Sequence, residues 1–484
     1  MIMSSNNVES NIRPDADREL VDIADYVCDY EVTSEKALDG ARNNLMDSLA
    51  CLLMALEFPE AAKHLGPLVP GTVVPNGARV PGTQFQLDPV KAASDIGTLV
   101  RWLDFNDTWL AAEWGHPSDN WGAVLALGDY LSRKAISDGE QPMNMEMLMR
   151  HMVKAHEIQG VLALENSYNR VGLDHVVLVK VASAAVAAVM LNLDKEQVID
   201  ALSHAWVDGQ SLRTYRHTPN TGSRKSWAAG DASARAVRLA MMVAKGEMGM
   251  PSVLTAPTWG FYDVLFDGEQ FRFQRPYGSY VMEHILYKIS FPAEFHAQTA
   301  VECALTLHPQ VVDLLDQIER VELTTQEPAI RIISKQGPLH NPADRDHCLQ
   351  YMVAIGLIFG ELTAEHYEDD VAENPQIDRL RELMVVREDP RYSKEYYDPD
   401  KRSIANAVQI FFKDGGSTHK VEVAYPMGHP RRRSEGIPVL EKKFYDALHR
   451  RFPHPQARKI YDLCLDADRL KITSVDEFMD LFVV

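Results

Sequence analysis

One stretch of the chain, residues 101–120, places groups capable of acid–base chemistry among three tryptophans. It contains Asp104, Asp107, Thr108 and His116. If Asp104 and Asp107 lie near the end of a helix, they share one face, and Thr108 falls on the side of Asp104. The proline after His116 biases that residue toward an extended conformation, which places the imidazole at a helix-to-loop junction. A capped helix end whose tryptophans pack in a core explains the same residues, so both interpretations stay open.

A second unusual stretch, residues 209–230, contains no aspartate or glutamate although the chain is acidic overall. It does contain Arg213, Arg216, Arg224 and Lys225. Because guanidinium groups match carboxylates bidentately and lysine adds a compact charge, this stretch is a candidate cradle for an anion. The alternative is a solvated basic loop that pairs with acidic neighbours.

Composition argues against several classes of function. The 484 residues carry 69 acidic and 49 basic side chains, and the formal charge of −20 disfavours nucleic acid or an anionic membrane as a partner. With 46% hydrophobic and 24% charged residues the chain is typical of globular proteins, and no apolar run approaches a membrane span. The N-terminus lacks the features of a signal or transit peptide. We therefore predict a cytoplasmic protein with no membrane or nucleic-acid partner.

Cysteine and histidine spacing does not indicate a metal or cluster. The five cysteines are scattered without a C-x-x-C pair, and His151 and His156 do not match the H-E-x-x-H spacing. The G-x-G-x-x-G, G-x-x-x-x-G-K-[ST] and G-x-S-x-G motifs are also absent from the sequence. We therefore predict no zinc site, and dinucleotide, P-loop and hydrolase-elbow chemistries lose their usual support, which leaves acid–base chemistry on an anion.

Hydrophobic periodicity predicts a mostly α fold whose larger part is a helical domain at residues 1–280. Apolar residues recur every four positions over 37–53, which indicates an amphipathic helix. The run 176–193 is apolar nearly all round and predicts a buried central helix. Asp194 and Gln197 then have the spacing of a capping box for the next helix.

A smaller, lid-like α+β domain is predicted at residues 281–434, inserted before the C-terminal helices. Apolar residues alternate over 408–412 and again over 421–425 on either side of a glycine turn, the pattern of a β-hairpin. Residues 377–384 look helical. Helical periodicity returns afterwards, so residues 435–484 are predicted to rejoin the helical domain.

Several segments resemble a known family. Asp-Phe-x-Asp-Thr-Trp at 104–109, followed by His116 and a proline, resembles the signature of the MmgE/PrpD family, which includes 2-methylcitrate dehydratases and cis-aconitate decarboxylases. Segments elsewhere in the chain resemble the dehydratase branch and extend the likeness over essentially its whole length: 74–77, 206–217, 291–296 and 341–348.

This resemblance implies a cofactor-independent, homodimeric hydro-lyase that dehydrates 2-methylcitrate to 2-methyl-cis-aconitate in propionate catabolism, with citrate as a further possible substrate. The reaction removes a weakly acidic proton beside a carboxylate and expels a hydroxide equivalent. It needs a base, cations for the developing charge and a proton donor. The alternatives are a cis-aconitate decarboxylase, which would release carbon dioxide, and a non-catalytic tricarboxylate-binding protein.

The resemblance also assigns roles to individual residues. It places the catalytic residues at Asp104, His116 and Lys288, with His116 or Asp104 moving the proton. It places substrate-binding residues at Thr108, His175, Lys225 and Tyr351, to which the acid-free stretch adds Arg213. Glu294 stands where the related decarboxylases have a histidine, a difference that argues against decarboxylation.

Overall fold

The computed structural model describes residues 11–217, 219–398 and 400–484. Helices make up 58% of the structure and strands 8%, which confirms the predicted mostly α fold with a smaller α+β part. Within those described ranges, no helix combines the length and apolarity needed to cross a membrane.

The N-terminal section is a helical bundle interrupted by short hairpins. Its helices are α1 (Arg18–Asp29), α2 (Glu35–Ala55), α3 (Pro59–Ala62), α4 (Pro89–Arg101), α5 (Trp121–Asp138), α6 (Met145–Glu165), α7 (Val176–Met190), α8 (Lys195–Val207), α9 (Arg224–Val243), α10 (Phe261–Leu265) and α11 (Tyr280–His284). The antiparallel hairpins pair β1 (Ala78–Arg79) with β2 (Gln86–Leu87) and β3 (Trp109–Leu110) with β4 (Trp114–Gly115).

Local sequence explains where several of these helices begin. The Ser34 side chain accepts a hydrogen bond from the backbone N–H of Ala37 at the start of α2. Asp194 and Gln197 form a capping box at the start of α8. Helix α7 is buried along nearly its whole length because it is apolar on all sides. The predicted central helix and capping box are therefore confirmed.

Glycines allow α4 and α9 to pack at backbone contact distance. A Cβ atom on Gly97 would lie 2.8 Å from the Cα of Gly230, so neither position has room for a larger residue. The Ser226 hydroxyl, near the start of α9, donates to the Trp102 carbonyl just after α4 at 3.1 Å. The end of α4 is thereby held against the start of α9.

The second section packs helices against a four-stranded sheet with the order β6-β5-β7-β8. Its strands are β5 (Ile318–Thr325), β6 (Met384–Glu388), β7 (Asn406–Phe412) and β8 (Val421–Val423). Its helices are α12 (Gln298–Val311), α13 (Glu327–Ile333), α14 (Pro342–Arg345), α15 (Leu349–Phe359), α16 (Asp369–Ala372), α17 (Pro375–Glu382) and α18 (Pro390–Tyr397). Antiparallel pairing of β7 with β8 confirms the predicted hairpin.

The prediction of a helix over 377–384 is wrong at its end. Helix α17 stops at Glu382, and Met384 begins β6, which pairs in parallel with β5. This strand is short and lies at the sheet edge. Its apolar residues continue the pattern of the helix before it, so periodicity could not separate the two elements.

The C-terminal helices share a hydrophobic core with the first section. They are α19 (Arg433–Arg451), α20 (His454–Leu465), α21 (Ala467–Ile472) and α22 (Val475–Asp480). One hydrophobic core contains residues from 20–289 together with 440–482, and a second core contains residues from 291–410. The boundaries predicted at 280 and 434 stay predictions.

Candidate active site

A tight turn after α4 positions Asp104. The helix ends at Arg101, and Asp104 has a left-handed backbone with φ of 48°. The prediction that Asp104 and Asp107 share a helix face is therefore wrong, because the chain leaves the helix before either residue. The turn directs the Asp104 carboxylate to two cations: Arg101 Nη1 donates to Oδ1 at 2.6 Å, and Lys288 Nζ donates to the same oxygen.

Asp104 is an ionised carboxylate in a buried ion cluster. Burial alone would favour the neutral acid, but the charges of Arg101 and Lys288 hold the pKa of Asp104 well below its usual range. All three side chains are buried. Asp104 is thus occupied as the counter-ion of two cations rather than free to accept a proton.

His116 is held in one tautomer beside this cluster. Its backbone is extended (φ −127°, ψ 90°), and its Nδ1 lies 2.5 Å from the carbonyl oxygen of Asp107. Since a carbonyl only accepts, Nδ1 carries the hydrogen and Nε2 has a free lone pair. Burial, together with the charges of Arg101 and Lys288, lowers the pKa of His116 well below its usual value. Nε2 lies 3.9 Å from Asp104 Oδ1.

The Asp107 carboxylate turns away from Asp104 into a buried polar network. It accepts hydrogen bonds from Asn44 Nδ2 at 2.8 Å and Ser118 Oγ at 2.6 Å, and His156 Nε2 lies 3.0 Å from its Oδ2. The other His156 nitrogen lies 3.1 Å from the Met152 carbonyl. His156 therefore links the Asp107 carboxyl group to the Met152 carbonyl through both of its ring nitrogens. The pair anchors the loop whose carbonyl orients His116.

We expect His156→Leu to lower the free energy of unfolding by about 1–3 kcal/mol, because it leaves the buried Asp107 side chain without one of its hydrogen-bond partners. His151→Leu is the matched control on the same helix, where the imidazole lies outside this network, and should change stability by about 1 kcal/mol or less. Urea unfolding of both variants tests the difference. Equal losses would contradict the anchoring role of the contact between His156 and Asp107.

A cavity of about 170 Å³ lies next to His116 and is lined by both sections of the chain. Its cationic side chains are Arg101, Arg213, Arg216, Arg331 and Lys335. Its imidazoles are His116, His175, His217, His296 and His347. Among the described residues, Glu294 is the carboxylate that lines it. A small polyanion is the ligand that this charge distribution favours, in spite of the acidic surface of the protein.

The structure brings some of the predicted site residues to the cavity and leaves others behind its wall. His116, His175 and Arg213 line it. Asp104 and Lys288 are buried just behind His116 and His347. The remaining predicted residues do not line it themselves: Thr108 Oγ1 lies 3.5 Å from His116 Nδ1, Lys225 binds Asp346, and the Tyr351 hydroxyl donates to the His366 carbonyl at 2.7 Å.

Arg213 and Arg216 both lie next to the buried Asp174, but they differ in how their guanidinium groups are hydrogen-bonded. Arg216 binds Asp174 through Nε and through Nη2 at 3.1 Å, and together with the neighbouring cations it holds the pKa of Asp174 low against the effect of burial. Arg213 Nη1 is buried, 3.5 Å from Asp174, and forms no hydrogen bond within the described residues. Arg213 is therefore the arginine better able to bind a ligand.

A hydrogen-bonded chain joins the two sections at the cavity. The Trp114 indole donates to the Tyr396 hydroxyl at 3.2 Å, and that hydroxyl lies 3.1 Å from His296 Nε2. His296 Nδ1 in turn lies 2.8 Å from Glu294 Oε1. Although burial acts in the opposite direction, His296 lowers the pKa of Glu294. Glu294 is thus engaged as an ionised partner of His296.

Three potential metal ligands lie close together: Asp104, Asp346 and His347 offer atoms within 4.8 Å of one another. Asp104 already binds Arg101 and Lys288, and Asp346 accepts from Lys225 Nζ at 2.7 Å. These cations neutralise the carboxylates that a divalent ion would need. The group therefore fits an acid–base network better than a metal site.

Sequence reasoning missed several residues of the cavity. Arg331 and Lys335 come from α13 and the loop after it, where no local motif distinguishes them from surface cations. His347 could have been identified from the sequence, because it lies inside the 341–348 segment that carries the family resemblance. Arg101 could also have been identified, because it is the first residue of the 101–120 stretch.

Family models match both sections of the chain. The MmgE/PrpD N-terminal domain matches residues 21–274, and the MmgE/PrpD C-terminal domain matches residues 291–467. The chain belongs to the MmgE/PrpD family.

Similar proteins from bacteria and yeast match over nearly the full chain. A 2-methylcitrate dehydratase of Salmonella typhimurium is 62% identical, over 98% of this chain and 99% of its own length. A 2-methylcitrate dehydratase of Cupriavidus necator is 60% identical, over 99% of this chain and 100% of its own. A mitochondrial 2-methylcitrate dehydratase of Yarrowia lipolytica is 57% identical, over 99% and 92%.

Proposed function

We propose that this protein is a hydro-lyase that dehydrates 2-methylcitrate to 2-methyl-cis-aconitate in propionate catabolism. The observation that carries the proposal is the His116 imidazole, neutral and with Nε2 unprotonated, at a cavity lined by five cationic side chains. Full-length relatives named for this activity support the choice of substrate.

In the proposed reaction His116 Nε2 removes the carbon-bound proton next to a substrate carboxylate. The electron pair of the C–H bond first shifts toward that carboxylate, where the cations of the cavity stabilise the added charge. It then forms the double bond as the C–O bond breaks, and the hydroxyl oxygen takes a proton from an acid in the cavity and leaves as water. Lys288 and Arg101 hold Asp104 in place, and the cluster fixes the wall against which His116 lies. His175 and Arg213 orient the substrate.

We expect Arg213→Gln to raise KM for 2-methylcitrate roughly 10- to 100-fold, because it removes a charge-assisted hydrogen bond to a carboxylate. Arg224→Gln is the matched control from the same acid-free stretch. The Arg224 guanidinium lies 4.2 Å from the Trp227 ring centre and pairs with Asp231, outside the cavity lining. Steady-state kinetics should show an unchanged KM for that control, and equal effects of both substitutions would contradict the role of Arg213.

Product analysis tests the proposed function directly. Purified protein mixed with 2-methylcitrate should yield a product lighter by one water, and citrate should be tested in parallel as a second hydroxy acid. Loss of carbon dioxide from cis-aconitate would instead indicate a decarboxylase. Binding of 2-methylcitrate without any product would indicate a binding protein.

The quaternary structure and compartment are part of the proposal. A homodimer is supported by exposed apolar residues in the loop before β1, where Leu68, Val69 and Val73 are 86%, 67% and 83% accessible. A cytoplasmic location is supported by five cysteines that are all free thiols. Light scattering should give twice the chain mass, and a monomer would refute the dimer.

A further inference from the structure

Two imidazoles flank the Asp104 carboxylate at the cavity. His116 Nε2 lies 3.9 Å from Oδ1, and His347 Nε2 lies 3.7 Å from Oδ2. Both histidines line the cavity, and the His347 side chain is 16% accessible. A substrate in this cavity can therefore meet an imidazole on each side of Asp104.

The second nitrogens of these imidazoles have different partners. His116 Nδ1 faces the neutral carbonyl of Asp107, whereas His347 Nδ1 lies 2.7 Å from Oδ1 of the Asp346 carboxylate and 3.1 Å from Lys225 Nζ. Lys225 fixes that carboxylate with a hydrogen bond of 2.7 Å to Oδ2. A carboxylate partner stabilises the imidazolium form and a carbonyl partner does so much less. His347 is thus the better proton carrier of the two.

The charges that surround His116 and His347 also differ. His116 lies against the cations Arg101 and Lys288, which oppose its protonation. In the free protein the pKa of His347 is itself below its usual value, because the effects of burial and Lys225 outweigh those of Asp346 and Asp104. The carboxylates of a bound tricarboxylate add negative charge in the cavity and favour the imidazolium at His347.

We propose that His347 is the general acid of the reaction, oriented by Asp346, and that it protonates the departing hydroxyl group. The inference rests on the proposed dehydration. The proton on His347 Nε2 moves to the hydroxyl oxygen while that oxygen keeps the electron pair of the C–O bond, so water leaves. His116 takes the C–H proton, and that electron pair becomes the double bond. Proton exchange with solvent then restores both histidines.

Two other imidazoles of the cavity, those of His175 and His296, fit this role less well. Burial lowers the pKa of His175 well below its usual value, and the nearby Asp174 is already bound by Arg216. His296 has both nitrogens engaged, by Glu294 and by the Tyr396 hydroxyl. His347 combines a carboxylate partner on Nδ1 with an Nε2 that lies 3.7 Å from Asp104, on a side chain that lines the cavity.

The test compares 2-methylcitrate with its analogue in which fluorine replaces the leaving hydroxyl, because fluoride departs without being protonated. We expect His347→Gln to lower kcat on 2-methylcitrate roughly 100-fold or more and to change turnover of the fluoro analogue by about threefold or less. His116→Gln should abolish turnover of both compounds. His340→Gln, an exposed histidine on the same segment, should affect neither.

The outcomes separate this inference from the proposed function. Retained turnover of the fluoro analogue by His347→Gln shows that the variant folds and still abstracts the proton. Equal loss on both compounds, or near-normal turnover of 2-methylcitrate, would overturn the role of His347 while the wild type remains a dehydratase. A wild type that eliminates neither water from 2-methylcitrate nor fluoride from the analogue would overturn the proposed function itself.

Discussion

His116→Gln lowers kcat for dehydration of 2-methylcitrate by roughly 100- to 10,000-fold, the usual contribution of a positioned general base. The glutamine amide has no basic lone pair to replace Nε2. KM should change little, because the cations that bind the substrate carboxylates remain in place. Steady-state kinetics by absorbance of the conjugated product measures both parameters.

The control for this substitution is His419→Gln, an exposed histidine in the turn between β7 and β8. It should leave both kinetic parameters and the circular dichroism spectrum unchanged. His116→Gln should share that spectrum, since its ring lies at a cavity wall rather than inside a hydrophobic core. Near-normal kcat for His116→Gln would remove His116 from the mechanism.

Asp104→Asn lowers the free energy of unfolding by about 3–5 kcal/mol at pH 7. The substitution leaves the buried Arg101 and Lys288 without their common carboxylate. Turnover should fall as well, because the cluster no longer fixes the wall next to His116. Asp313→Asn, which changes an exposed carboxylate, should alter stability by about 0.5 kcal/mol or less.

Lowering the pH weakens the contribution of the Asp104 carboxylate to stability. The pKa of Asp104 is lower in the folded protein than in the unfolded chain, so its stabilisation is present above the unfolded value of about 3.9. It is lost as pH falls through the lower folded value. Urea unfolding should therefore show the difference between wild type and Asp104→Asn shrinking below about pH 4. A difference that grows in acid would contradict an ionised Asp104.

Much of the fold could be predicted because local patterns and tertiary packing agree. The apolar run of α7 becomes a buried helix, and the Asp194 and Gln197 pair caps α8. The turn at Asp104 could not be predicted in the same way. Its left-handed backbone places the Asp104 carboxylate against Arg101 and Lys288. Lys288 is 184 positions away in the chain, so local propensity cannot predict that contact.

The candidate site was only partly predictable for a similar reason. The absence of acids at 209–230 identified a basic stretch but not the direction of its side chains. Arg213 lines the cavity, Arg224 lies over Trp227, and Lys225 turns to Asp346. Cations from the second section complete the cavity only when the two sections meet, so their role is a property of tertiary structure.

Absorbance of chelator-treated wild-type protein mixed with 2-methylcitrate tests the central claim most directly. The account predicts a steady rise in the ultraviolet band of a conjugated tricarboxylate. The same protein carrying His116→Gln should give almost no rise. No rise with the wild type, or an equal rise with His116→Gln, would contradict acid–base dehydration at this cavity.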